Sequence, residues 1–151
     1  MGFGLPAAIG AALAAPDRKV VCFTGDGSLL MNIQEFATAV EQGVNVKVVL
    51  LNNNALGLVH QQQDLFYGSR FIAVNYQKVV DFAAIAEGFG IPATHLASAS
   101  NPEATLRKAL MSNGPHLIHA PIDVYDKVFP MVRPGAANTQ MLTATATPVN
   151  A

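Results

Sequence analysis

The sequence has no tryptophan, a single cysteine and few charges: nine basic and ten acidic residues among 151, a net charge of -1 with histidine neutral. Each scarcity excludes something. One cysteine rules out a disulfide framework within the chain, and Cys22 lies inside the apolar run "VVCFTG", where a small buried thiol is the expected role. Sparse, interspersed acids and bases leave no electrostatic footprint for nucleic acid or for an anionic membrane surface. No apolar run is long enough to span a bilayer. The opening "MGFGLPAAIGAALAAP" has no basic flank and is interrupted by glycine and proline, so it reads as core and not as a signal, and the expected location is cytoplasmic. What is present is a chain 51% hydrophobic, suited to one domain with a substantial core.

Strand and helix signals alternate along that chain. Residues 5–14 read as an alanine-rich helix, with Pro6 tolerated in its first turn and Pro16 closing it. A strand is expected over 19–24. Ile33, Phe36, Ala37 and Val40 then recur at helical spacing within 32–42, and Gly43 supplies the stop. The next run, 46–51, is apolar without alternation, as in a strand covered on both faces of a parallel sheet. Further elements follow: a helix over 79–89, a short strand near 94–97, a helix over 102–111 capped by Ser100 or Asn101, and a strand over 116–124. The pattern predicts an α/β fold, a doubly wound, mostly parallel sheet with helices on both faces.

Two of the strands end on small polar residues, the first in Gly25-Asp26-Gly27 and the second in Asn52-Asn53-Asn54. The residues from Ser28 to Leu51 suffice for one turn, one helix and one strand, a single right-handed crossover. Both strands then finish at the same sheet edge, where such folds bind ligands, and Asp26 and Asn53 become neighbours. A carboxylate beside an amide oxygen makes a hard oxygen site suited to Mg²⁺, which keeps open positions for phosphate oxygens. The flanking glycines let a phosphate approach the backbone, with Ser28 and nearby amides as donors. Either motif alone is an ordinary turn. Their joint occurrence on consecutive strands is what points to a metal–diphosphate site.

Gly-Asp-Gly followed by this asparagine resembles the thiamine diphosphate motif of a large enzyme superfamily. More narrowly, the stretch from "MGFGLPAAIG" to "LGLVHQQQ" closely resembles the cofactor-binding C-terminal domain of acetohydroxyacid (acetolactate) synthase large subunits, and "PMVRPGAANTQM" resembles their C-terminal segment. The resemblance implies a thiamine diphosphate/Mg-binding domain over 1–124, a segment covering the active site over 125–142, and a disordered tail over 143–151. It implies Mg²⁺ ligands in Asp26, Asn53 and the backbone carbonyl of Ala55. Gly25, Gly27, Ser28, Leu56 and Gly57 would serve the diphosphate. Met1 falls at the apolar position that bends the cofactor, and Leu58 and Val59 would line the pocket over its thiazolium ring. Val59 and Gln62 would meet substrate, Gln62 standing where relatives selective for 2-ketobutyrate carry tryptophan.

The implied reaction condenses pyruvate with a second 2-keto acid in branched-chain amino acid biosynthesis. No catalytic residue is expected in this chain, because the activating glutamate of such enzymes belongs to a pyrimidine-binding domain, usually of a second large subunit. FAD would sit on a further absent domain, the assembly would be a homo-oligomer, and a regulatory small subunit is a possible partner. The fragment alone is expected to be inactive. Other readings stay open: a domain of a pyruvate oxidase or 2-keto acid decarboxylase, or a truncated module that binds or dimerises without catalysis. A Rossmann dinucleotide domain is disfavoured, since no G-x-G-x-x-G follows the first strand. His60 is expected to be structural or at the surface, and residues 60–77 resemble the family's mobile loop.

Overall fold

The protein is described from a computed structural model covering residues 1–144; of the tail expected to be disordered, residues 145–151 lie outside the described residues. Four parallel strands form the sheet, in the order β1-β2-β4-β3: β1 is Val20–Gly25, β2 Val46–Asn52, β3 Ala93–His95 and β4 His116–Pro121. The helices are α1 (Gly4–Ala14), α2 (Asp26–Leu30), α3 (Glu35–Glu41), α4 (Gly57–Phe66), α5 (Phe82–Gly88) and α6 (Pro102–Met111). A two-residue antiparallel pair, β5 (Met131–Val132) with β6 (Met141–Leu142), lies in the C-terminal segment.

The strand register shows why β2 lacks alternation. Cys22, Val48 and Leu117 share one sheet face with Val46 and Leu50, and there they pack against Leu5, Ile9, Phe36 and Phe82 of α1, α3 and α5. Val49 and Ile118 point the other way, onto Ala109, Leu106 and Leu110 of α6. Helices thus cover both faces, as expected, but unequally. Among the described residues α6 alone serves the second face, and Val21 and Phe23 on the edge strand β1 are exposed, Phe23 with 70% of its surface. Lys47, mid-strand on this face, is fully buried and donates from Nζ to Gly114 O.

Two helical expectations need correction. The segment 32–42 is not one helix: α2 begins at Asp26 itself, and residues 31–34 form successive turns (Asn32 N to Leu29 O, Glu35 N to Asn32 O) before α3 starts. The interruption has a cause, since Asn32 Nδ2 donates to the carbonyl of Gly2 and ties the start of the chain to this corner. Similarly, α5 starts at Phe82 and not at 79, because Asp81 Oδ1 accepts from Ala84 N (3.0 Å) and caps it. Asn101 does the same for α6 through Ala104 N. Strand β4 stops at Pro121, short of the expected 124.

Candidate cofactor site

Because every strand of the sheet is parallel, the ends of β1, β2 and β4 meet at one edge, and a cavity of about 320 Å³ opens there. All residues expected to hold the cofactor line it: Met1, Gly25, Asp26, Gly27, Ser28, Asn53, Ala55, Leu56, Gly57, Leu58 and Val59. Gln62 does not. The preceding residue, Gln61, takes that place in the wall, joined by Ile122, Asp126 and Val128. A larger hollow of about 430 Å³ on α6 is shallow and brings no such groups together.

Asp26 is 2% exposed, with Oδ1 accepting from Gly27 N (2.7 Å) and Oδ2 from Ala55 N (3.3 Å). Asn53 Oδ1 accepts from the same Ala55 N–H at 3.2 Å. One amide therefore holds the carboxylate and amide oxygens side by side, which is the neighbourhood the crossover argument requires. Burial pushes the Asp26 carboxyl up, opposed by backbone N–H groups of Gly27, Ala55 and Asn54. A bound cation would relieve that penalty. Both oxygens are hard donors, so the set fits Mg²⁺.

The glycines stand at close approaches. A Cβ on Gly57 would stand 2.5 Å from Asn53 Nδ2, and one on Gly27 would stand 2.7 Å from Leu56 Cδ2 and 2.8 Å from Tyr76 Oη. Gly2, at φ +79°, donates from N to Ser28 Oγ (2.9 Å), which sets Met1 at the cavity and leaves the Ser28 hydroxyl proton free to be given. The site can therefore accept a phosphate from both its backbone and its hydroxyl.

Residues 60–77 do not form one loop. Through Phe66 they belong to α4, and the rest runs back along the asparagine turn: Leu56 N donates to Val74 O (2.8 Å) and Tyr76 N to Asn54 O (2.9 Å), with Ala55 bridged to Asn75. His60 is structural, buried with its ring stacked on Phe71 (centroids 4.1 Å apart) and edge-on to Tyr125. Gln61 clasps the C-terminal segment: Nε2 donates to Val128 O (2.9 Å) and Oε1 accepts from Val128 N (2.7 Å). Asp64 pairs with Lys127, and that pairing holds its carboxyl below the usual range. Together these contacts bring Asp126 and Val128 to the cavity mouth. A helix beginning at Gly57 places Gly57 and Gln61 on one face, a relation that the i, i+4 spacing alone carries.

A hydrogen-bond chain leads away from the site. Asn52 Oδ1 accepts from Asn54 N (3.0 Å), so Asn52 Nδ2 donates to His119 Nε2 (2.9 Å), and His119 Nδ1 in turn faces His95 Nδ1 (3.1 Å). His116 is buried between Thr94 Oγ1 and Ser112 Oγ. Burial, then Lys47 beside His116 and His95 beside His119, holds both rings below the ordinary histidine value of 6.5, with Asp81 pulling His119 the other way. The unfolded chain then takes up protons first on acidification, so stability carried by these rings is full above 6.5 and falls as pH drops through their folded values. The thermal midpoint is expected to fall from about pH 7.5 to about pH 5.5, with a shallower slope in His116→Gln. A midpoint that rises on acidification would contradict this.

No helix among the described residues is long and apolar enough to cross a membrane. The family described as "Thiamine pyrophosphate enzyme, C-terminal TPP binding domain" matches residues 1–120. The acetolactate synthase isozyme 1 large subunit of Escherichia coli (strain K12) is 58% identical over 142 residues, covering 94% of this chain and 25% of that protein. The isozyme 2 large subunit of the same organism is 45% identical over 142 residues (94% and 26%), and a probable acetolactate synthase large subunit of Methanococcus aeolicus is 42% identical over 144 (95% and 24%). The chain spans about a quarter of the length of these relatives. With this match over most of its length and the Gly-Asp-Gly and asparagine turns brought together at one cavity, the chain belongs to the C-terminal TPP-binding domain family of thiamine pyrophosphate enzymes.

Proposed function

We propose that this chain is the cofactor-binding domain of an acetolactate synthase large subunit, which joins pyruvate to a second 2-keto acid in branched-chain amino acid biosynthesis. The observation that carries the reading is the convergence of Asp26 and Asn53 on the Ala55 amide, at a cavity lined by every residue the motif names. Asp26, Asn53 and the Ala55 carbonyl would hold Mg²⁺; Gly25, Gly27, Ser28, Leu56 and Gly57 would hold the diphosphate. When bound, the cofactor supplies an electron sink for decarboxylating a 2-keto acid. The chain's own residues orient it. Met1 would support its bend, and Leu58 and Val59 would exclude water above its ring. Residues 1–124 form the binding domain and 125–142 the segment that closes over it. The activating glutamate and FAD belong to domains outside this chain, the glutamate on a second large subunit of a cytoplasmic homo-oligomer with scope for a regulatory small subunit.

Gln62 is exposed on α4, one helical turn from Leu58 and Val59, so it shares their face without lining the cavity. In this reading it meets the second substrate. 2-Ketobutyrate exceeds pyruvate by one methylene, for which an apolar wall supplies about 1–3 kcal/mol of discrimination. Glutamine offers no such wall, and its amide resists drying. A complete enzyme carrying this domain should form acetolactate, not acetaldehyde or acetyl phosphate, and should choose weakly between the two acceptors. Gln62→Trp should move the product ratio toward acetohydroxybutyrate by about tenfold in competition with both acids. An unchanged ratio in an active variant would take Gln62 out of the acceptor site, and the wrong product would overturn the assignment itself.

A further inference from the structure

Tyr76 lies outside every residue assigned above, yet its position is fixed by the site. The Tyr76 N–H bonds to Asn54 O, and Asn75 bridges Ala55, so the residue is carried by the turn that presents Asn53. From there the side chain crosses to the other motif, just behind the residues that line the cavity: its Oη is 2.8 Å from where a Cβ of the lining residue Gly27 would stand. The phenol is half-buried, and no group among the described residues hydrogen-bonds to its Oη. A hydroxyl held in such a place without a protein partner is open to a ligand or to water. We propose that Tyr76 is a further binding residue of this site, its Oη donating a hydrogen bond to a phosphate oxygen of the Mg²⁺–diphosphate group seated against Gly27.

The inference rests on the cofactor reading of the cavity. The residue type suits the task. A lysine here would pair with Asp26 and compete with the ion, whereas a phenol gives a donor without a charge, on a ring with only two torsions to fix. Tyr76 would then tie both turns to the ligand at once, since its backbone holds Asn54 and its hydroxyl covers Gly27.

The test uses the 151-residue chain, with Mg²⁺ and inorganic pyrophosphate as the probe for the diphosphate, followed by calorimetry and tyrosine emission. With no tryptophan, that emission comes from tyrosine alone, and the Tyr76→Phe variant gives the share of Tyr67 and Tyr125 to be subtracted. Tyr76→Phe should bind about tenfold more weakly and lose most of the ligand-induced emission change, at an unaltered thermal midpoint without ligand. Tyr76→Ala should bind no more tightly than Tyr76→Phe. Equal affinity in Tyr76→Phe overturns the inference, as does an emission response of undiminished size after the substitution. Tighter binding by Tyr76→Ala than by the unsubstituted chain overturns it too, because the phenol would then be an obstruction. Failure of the unsubstituted chain to bind Mg²⁺ with either pyrophosphate or thiamine diphosphate overturns the cofactor reading, and this inference with it.

Discussion

Asp26→Ala, in an enzyme complete with its other domains, is expected to lose Mg²⁺-dependent binding of thiamine diphosphate by more than about 100-fold while the fold survives. Removing a mere supporting residue around a metal costs about 10–100-fold, and Asp26 would supply the only charged ligand from this chain. The fold should tolerate the loss, because the Ala55 N–H keeps Asn53 Oδ1 as acceptor. Truncation also relieves the burial that pushes the Asp26 carboxyl up. Asn53→Ala should cost less, since it removes a neutral oxygen and leaves the charge in place. Calorimetry on folded variants decides the matter: undiminished affinity in Asp26→Ala would mean that the ion, if bound, is held elsewhere.

The second large effect concerns the chain by itself. Supplied with Mg²⁺, thiamine diphosphate and pyruvate, the 151-residue chain should turn over at least about a hundredfold more slowly than a complete enzyme, the scale of a missing general acid–base group. The cavity wall offers two carboxylates. Asp26 is engaged by the Gly27 and Ala55 amides, and Asp126 sits exposed at the mouth beside the strap formed by Lys127 and Val128. Asp26 is thus committed to those amides, and in the proposed reading the activating glutamate belongs to a domain outside this chain. Adding the pyrimidine-binding domain in trans should restore activity. Steady acetolactate production by the purified chain would instead place a working proton relay within these residues.

The centre of the sheet was legible in the sequence because β1 and β2 are near-continuous apolar runs, and β2 comes within one residue of its expected span. The same runs located the site, since their abrupt ends at Gly25-Asp26 and Asn52-Asn53 are the ends of parallel neighbours. Helix α4 was hidden for a physical reason. Its buried positions are His60 and Gln61, polar groups satisfied by ring stacking and by the Val128 backbone, so no apolar stripe marks it. Likewise Asn32 lies within a helical pattern but spends its amide on Gly2, a contact 30 residues away that no local period can show. Tyr76 was silent for the same reason, its place at Gly27 being set by backbone pairing with the asparagine turn.

The clasp between Gln61 and Val128 leaves the two positions under unequal constraint. Gln61 Nε2 also reaches Met131 Sδ (2.9 Å), but both bonds to residue 128 end on its main chain, so the grip there reads peptide geometry and is blind to the side chain. Sequence drift at 128 is therefore tolerated for any residue that keeps an N–H, and proline alone is barred on that ground. Position 61 has no such latitude: glutamate would give up the donor, and a shorter asparagine would fall short of one partner or the other. Among descendants of this sequence, glutamine should persist at 61, whereas any side-chain constraint at 128 comes from the cavity it lines and not from the clasp.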